Sequence, residues 1–111
     1  MPHRPIRWVG SALNDLRAFP KAARKQAGQE LDLLQQGIEP NDFKPMPTVG
    51  AGVDELRVRS SGAFRVFYVA KFAESLYVLH AFQKKTRQTG RLDMEIAAKR
   101  YRDILRQRLN R

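Results

Sequence analysis

Glu55-Leu56-Arg57-Val58-Arg59-Ser60-Ser61-Gly62-Ala63-Phe64-Arg65-Val66-Phe67-Tyr68 reads as two strands and the turn between them. β-Branched and aromatic residues dominate both arms, and Ser60-Ser61-Gly62-Ala63 is short enough to join them as an antiparallel hairpin. The first arm is predicted over 53–59. In it Leu56 and Val58 point one way, and Glu55, Arg57 and Arg59 point the other. That strand therefore has one apolar face and one cationic face. The second arm, over 64–70, and a third strand, over 76–82, are apolar on both faces, as expected inside a covered sheet.

Upstream of the hairpin, Ile6-Arg7-Trp8-Val9 reads as a short opening strand. Ser11 is placed to cap a brief helix over 12–18, with Leu13 and Leu16 on its inner face. Pro20 fits the first turn of a second helix, where its missing N–H costs nothing. Ala27, Leu31, Leu34 and Ile38 form one apolar stripe on that helix, and Gly37 supplies its stop. Between 39 and 52, Pro40, Pro45, Pro47, Gly50 and Gly52 argue against regular structure. Downstream, a last helix runs to about Arg108, with Ala97, Tyr101, Ile104 and Leu105 inward. Strand, two helices, three strands and a helix make an α+β domain, an antiparallel meander packed against helices.

At 111 residues, the span 1–111 is one domain with one core. No apolar run approaches the roughly 20 residues of a membrane span. The N-terminal cations lack the apolar stretch of a signal peptide. The absence of cysteine fits a reducing cytosol and removes thiol chemistry. The net charge of +10 is unevenly placed. Residues 1–55 carry seven Lys/Arg and seven Asp/Glu, whereas residues 56–111 carry fourteen and four. Such asymmetry points to a polyanionic partner: RNA, DNA, an acidic protein or an anionic membrane surface.

The candidate site is cationic. Arg57 and Arg59 emerge from one strand face roughly 7 Å apart, suited to neighbouring phosphates. Arg65 follows just after the turn. Guanidinium groups are planar, permanently charged and matched to phosphate oxygens, and cations already in place stabilise charge developing at phosphorus. Pairing with Glu55, Asp54 or the sheet edge is the alternative for these arginines. Histidine is the side chain most often used for general acid–base work, which makes His80 a candidate. By strict alternation, however, it shares a face with Leu76, Val78 and Phe82, as a buried, hydrogen-bonded histidine would. Lys84 and Lys85 leave the end of the same strand and extend the site or simply stay solvated. No His/Asp/Glu spacing resembles a metal site, and a phosphate-binding glycine loop is absent. RNA needs no metal for cleavage, because the 2′-OH beside the scissile phosphate can serve as nucleophile once aligned.

Glu55-Leu56-Arg57-Val58, Phe64-Arg65-Val66-Phe67-Tyr68 and Leu79-His80-Ala81-Phe82-Gln83-Lys84-Lys85-Thr86 together resemble the HigB-like, phage-type branch of the RelE/ParE toxin superfamily. Pro20 before a helix, Lys44-Pro45 and residues 95–102 fit as well, so the resemblance covers nearly the whole chain. It implies a RelE-like βααβββα fold, a small antiparallel sheet packed against helices. It also implies the toxin of a type II toxin–antitoxin system, a metal-independent endoribonuclease (mRNA interferase) that inhibits translation by cutting mRNA on the 70S ribosome in the cytoplasm. No cofactor is implied. The partner would be a cognate antitoxin, often of helix-turn-helix type. On this resemblance Arg57 and Arg59 are the paired cations before the turn, Arg65 contacts the scissile phosphate, and Lys84 and Lys85 are the basic residues after the last strand. A tyrosine found early in the last helix of some members has no counterpart among residues 91–96, and Gly90 stands after Thr89 where relatives carry proline. A gyrase-directed toxin of ParE type, or a non-catalytic nucleic-acid-binding domain stacking bases on sheet aromatics, are the competing expectations.

Overall fold

The computed structural model describes residues 3–110. Strand β1, Ile6–Trp8, is followed by helix α1, Ala12–Arg17, and helix α2, Lys21–Gln35. Pro20 stands one position earlier than expected, as the N-cap of α2. Strands β2, Phe43–Pro45, β3, Val53–Val58, β4, Phe64–Val69, and β5, Leu76–Gln83, come next. Helix α3, Arg91–Leu109, closes the chain. The expected α+β architecture is therefore present, with one additional strand.

The sheet has the order β1-β5-β4-β3-β2. Strands β2 to β5 pair antiparallel, and Ser61 and Gly62 take positive φ in the expected turn between β3 and β4. The sheet as a whole is mixed, not antiparallel as expected. Strand β1 returns alongside β5 in parallel, with Ile6 opposite Leu76 and Trp8 opposite Val78. Parallel pairing needs a long crossover, and the intervening helices and meander provide one. Strand β2 was hidden by Pro45 and by the flanking Pro40 and Pro47. Pro45 lacks a donor, but an edge strand tolerates that; Lys44 pairs with Glu55 there.

Side chains of the central strands divide between two apolar clusters. Leu56, Val58, Val66, Tyr68, Leu76 and Val78 pack against Leu16, Ala27, Leu31 and Leu34 of the first two helices. Val53, Phe67, Val69, Tyr77, Leu79 and Phe82 pack against Ala97, Tyr101 and Ile104 of α3. Helices thus cover both faces, which is why β4 is buried at every position. Ile38 departs from its expected stripe. Gly37, at φ 81°, turns the chain out of α2, and Ile38 is left 49% exposed.

The β4–β5 ladder slips once. Phe67 pairs with His80 and Tyr68 with Val78, leaving Leu79 as an extra residue. A bulge of this kind re-aims the side chains beyond it. The bulged carbonyl of Leu79 accepts a hydrogen bond from Arg100 Nη1 of α3 at 2.8 Å. His80 consequently leaves the face of Leu76 and Val78, where strict alternation had placed it, and joins Phe82 on the α3 side.

Candidate functional site

Arg57 and Arg65 stand opposite each other on β3 and β4, so strand pairing alone brings them to one face. Glu55, two residues before Arg57, shares that face. Its Oε1 lies 3.6 Å from Arg65 Nε and 3.8 Å from Arg57 Nε. Its other oxygen accepts from Thr89 Oγ1 at 2.8 Å. Thr89 therefore does not cap α3, whose N-cap is Gly90 without a side-chain cap. Instead it ties the approach to α3 onto the sheet.

Asp42, just before β2, serves the outer arginines. Arg59 Nε donates to Asp42 Oδ2 at 3.0 Å, and Arg57 Nη1 lies 3.8 Å from Oδ1. Backbone pairing sets this up, because the Arg57 N–H donates to the Asp42 carbonyl at 2.9 Å.

The three arginines form a gradient in depth. Their side chains are 67% exposed at Arg59, 29% at Arg57 and 7% at Arg65. Arg65 Nη1 donates to the Phe64 carbonyl at 2.9 Å, and its Nε is buried without a hydrogen-bond partner. Burial pushes the Arg65 guanidinium below its ordinary pKa; Glu55 opposes this, and Arg57 and Arg59 add to it. Three guanidinium groups against two carboxylates leave the cluster net positive. The face expected to carry Glu55, Arg57 and Arg59 does so, and the alternative of pairing with Glu55 is present: that carboxylate is buried and lies beside both Arg57 and Arg65.

Lys84 and Lys85 follow β5. The Lys84 N–H donates to the Ala63 carbonyl at 2.7 Å, which sets the pair beside the β3–β4 turn and at the same end of the sheet as Arg59. Neither side chain makes an ion pair with a carboxylate among the described residues. His80 is brought to the same face by the bulge, opposite Phe67 and one step along from Phe82, which is itself opposite Arg65. It is enclosed there, 6% exposed. Its Nε2 donates to Asp93 Oδ1 at 2.8 Å, its ring stacks on Phe82 at 5.2 Å, and Nδ1 is buried without a partner.

Sequence reading missed Asp42, Thr89 and Asp93 as members of this network. Asp42 lies in a proline-rich span that concealed β2. Asp93 lies in the first turn of α3, where an acidic residue is ordinary because it suits the helix dipole, so it carried no signal of its own. Among the described residues no three or more His, Asp or Glu side chains gather as a metal site, and no helix is long and apolar enough to cross a membrane.

A family model described as "Phage derived protein Gp49-like (DUF891)" matches residues 14–102. That family is toxin-type, within the RelE/HigB group. No curated protein matches the chain at a significant level.

Proposed function

We propose that this chain, which belongs to the Gp49-like family of phage-derived proteins, is a HigB-like toxin of a type II toxin–antitoxin pair and cleaves mRNA on the translating ribosome in the cytoplasm, without a metal. The observation that carries the nuclease reading is the gradient of arginines on one sheet face, with Arg59 outermost, Arg57 behind it and Arg65 deepest.

In this reading Arg59, Lys84 and Lys85 gather the RNA backbone. The exposed Arg59–Asp42 pair is worth little in water, so a phosphate displaces Asp42 at small cost. Arg57 and Arg65, held in place by Glu55, then face the non-bridging oxygens as attack builds charge on them. The 2′ oxygen bonds to phosphorus and the bond to the 5′ oxygen breaks. One proton leaves the 2′-OH and one arrives on the departing 5′ oxygen, giving a 2′,3′-cyclic phosphate and a 5′-OH. His80 is the imidazole assigned to proton transfer. Its Nε2 is engaged by Asp93 and its Nδ1 is buried, so this role requires the start of α3 to draw back when RNA binds.

Phe64 and Phe67 are buried in opposite clusters, so neither offers a ring face on which a base could stack, as the binding-only reading requires of them. Expression in growing cells tests the proposal. Rapid translation arrest is expected, relieved by co-expression of the antitoxin encoded beside this gene. A DNA-damage response would move the chain to the gyrase-directed ParE type, and normal growth would remove the toxin reading.

A further inference from the structure

One stretch of chain beside the arginine cluster is held by very little. From Gln83 to Ile96 no residue is buried, and Ala97 is the first residue of α3 that is. Met94 alone among them packs in part against the α3-side cluster. Among the described residues, 85–93 is joined to the sheet by two hydrogen bonds, both through side chains. Thr89 Oγ1 donates to Glu55 Oε2, and His80 Nε2 donates to Asp93 Oδ1, each at 2.8 Å. The helix that begins here has no side-chain cap, and its Met94 N–H reaches the Gly90 carbonyl at 3.2 Å. Few buried contacts and few bonds mark a segment that opens ahead of the rest of the fold.

Those two bonds close over the centre of the site. Glu55 is the carboxylate shared by Arg57 and Arg65. His80 is the enclosed imidazole on the same face. Asp93 occupies its Nε2–H, and a phosphate oxygen is a rival acceptor for that donor. Gly90 leaves the carboxylate its room, since a Cβ there would lie 3.1 Å from Asp93 Oδ2. Charge along the segment favours the exchange. Lys84, Lys85, Arg87 and Arg91 are its cations, and Asp93 is its one acid. Of these cations only Arg91 has a carboxylate partner among the described residues, Glu95 of its own helix. Opening therefore withdraws the segment's single carboxylate and leaves its cations to the RNA.

We propose that residues 89–93 are a strap that holds the free site shut, fastened by Thr89 and Asp93, and that an RNA phosphate opens it by displacing Asp93 from His80. The identity of the ligand rests on the nuclease reading above; the strap rests on its two bonds and on the exposed segment around them. RNA is bound by the open form alone. The closed form lowers the apparent affinity according to the fraction of molecules that are open, so loosening either fastening tightens RNA binding.

The test uses the full chain with Thr89→Val and Asp93→Asn, which remove a hydroxyl and a charge while keeping side-chain shape. Amide hydrogen exchange is measured first without ligand. Both variants are expected to speed exchange at Met94 and Glu95 roughly 10-fold or more, the equilibrium effect of losing a hydrogen bond to a charged group. Tyr101 and Ile104, further along α3, are expected to be unchanged. Exchange that speeds equally along all of α3, or at no position, overturns the strap. A 2′-O-methyl RNA oligonucleotide, which lacks the nucleophile, is then titrated against wild type and both variants. Thr89→Val is expected to bind tighter by the same factor as its exchange speeds up. Saturating the wild type is expected to speed exchange at Met94, where a ligand resting on a closed strap would slow it. Tighter binding by Asp93→Asn alone is a bare charge effect and overturns the strap, as does a slowed Met94. Failure of all three proteins to bind the oligonucleotide overturns RNA as what opens the strap, while translation arrest on expression separately decides the toxin reading.

Discussion

Arg65 Nε lies 3.6 Å from Glu55 Oε1, and both side chains are buried. The deepest cation of the site thus depends on one internal carboxylate, which also touches Arg57 and accepts from Thr89. Glu55→Ala leaves a buried guanidinium without its counter-charge. Breaking such a pair costs about 3 kcal/mol, the lower end of the range being apt because no hydrogen bond joins Nε to Oε1. Urea unfolding is expected to show a lower midpoint with unchanged slope. Cleavage per folded molecule should fall as well, because Arg65 loses its orientation.

The bulge that aims His80 is held from outside the sheet. Arg100 Nη1 donates to the Leu79 carbonyl, and Nη2 donates to Ser11 Oγ at 3.0 Å. Arg100→Met keeps the stem and removes both bonds. A loss of about 2 kcal/mol is expected for hydrogen bonds from a charged group. Amide exchange should speed up most at Leu79 and His80. A uniform change across the sheet would mean that the bulge does not depend on this arginine.

Gly50 sits under α3, where a Cβ would fall 2.3 Å from Tyr101 Cδ2 and 2.6 Å from Cε2. Tyr101 is itself held in place, donating its hydroxyl proton to the Ala51 carbonyl. The ring cannot yield without breaking that bond. Gly50→Ala is therefore expected to destabilise by about 1–3 kcal/mol, the usual cost of overpacking, read as a lower melting temperature. Gly28 has open space around it, so Gly28→Ala is the matched control and should not destabilise.

Asp54 gives a pH signature. Its carboxyl is raised above its ordinary 3.8 by burial and by Glu39. A raised acid binds its proton more tightly in the folded state. The stability it contributes is therefore present below pH 3.8 and is lost as pH rises through the folded value. At pH 7 the ionised group is a net cost. Asp54→Asn should melt higher than the wild type at pH 7, and the difference should close as pH falls below 3.8. A lower melting temperature for the variant at pH 7 would contradict this.

The hairpin, the two apolar strands and all three helices were legible because period and punctuation agree along them. Leu56 and Val58 alternate with Arg57 and Arg59 as a strand with two different faces should. What stayed hidden was non-local. The pairing of β1 with β5 leaves no trace in Ile6-Arg7-Trp8, since a strand reads the same whichever direction its neighbour runs. Strand β2 was concealed by Pro45, which the edge position permits. The face of His80 could not be read at all, because one extra residue at Leu79 inverts the alternation, and no residue type announces a bulge there. The arginines themselves were found, with Glu55 named as their alternative partner; Asp42 joined them only once β2 and β3 were paired.

The central claim is that Arg65 stabilises charge on a phosphate attacked by its own 2′-OH. Single-turnover cleavage of mRNA on purified ribosomes tests it directly. Arg65→Ala, shown to be folded by circular dichroism, is expected to cleave about 100-fold more slowly, the cost of losing one transition-state donor. The wild type is expected to leave a 2′,3′-cyclic phosphate and to spare an mRNA carrying 2′-deoxyribose at the scissile position. Wild-type rates from the folded Arg65→Ala protein, or cleavage of the deoxy substrate, would contradict the account.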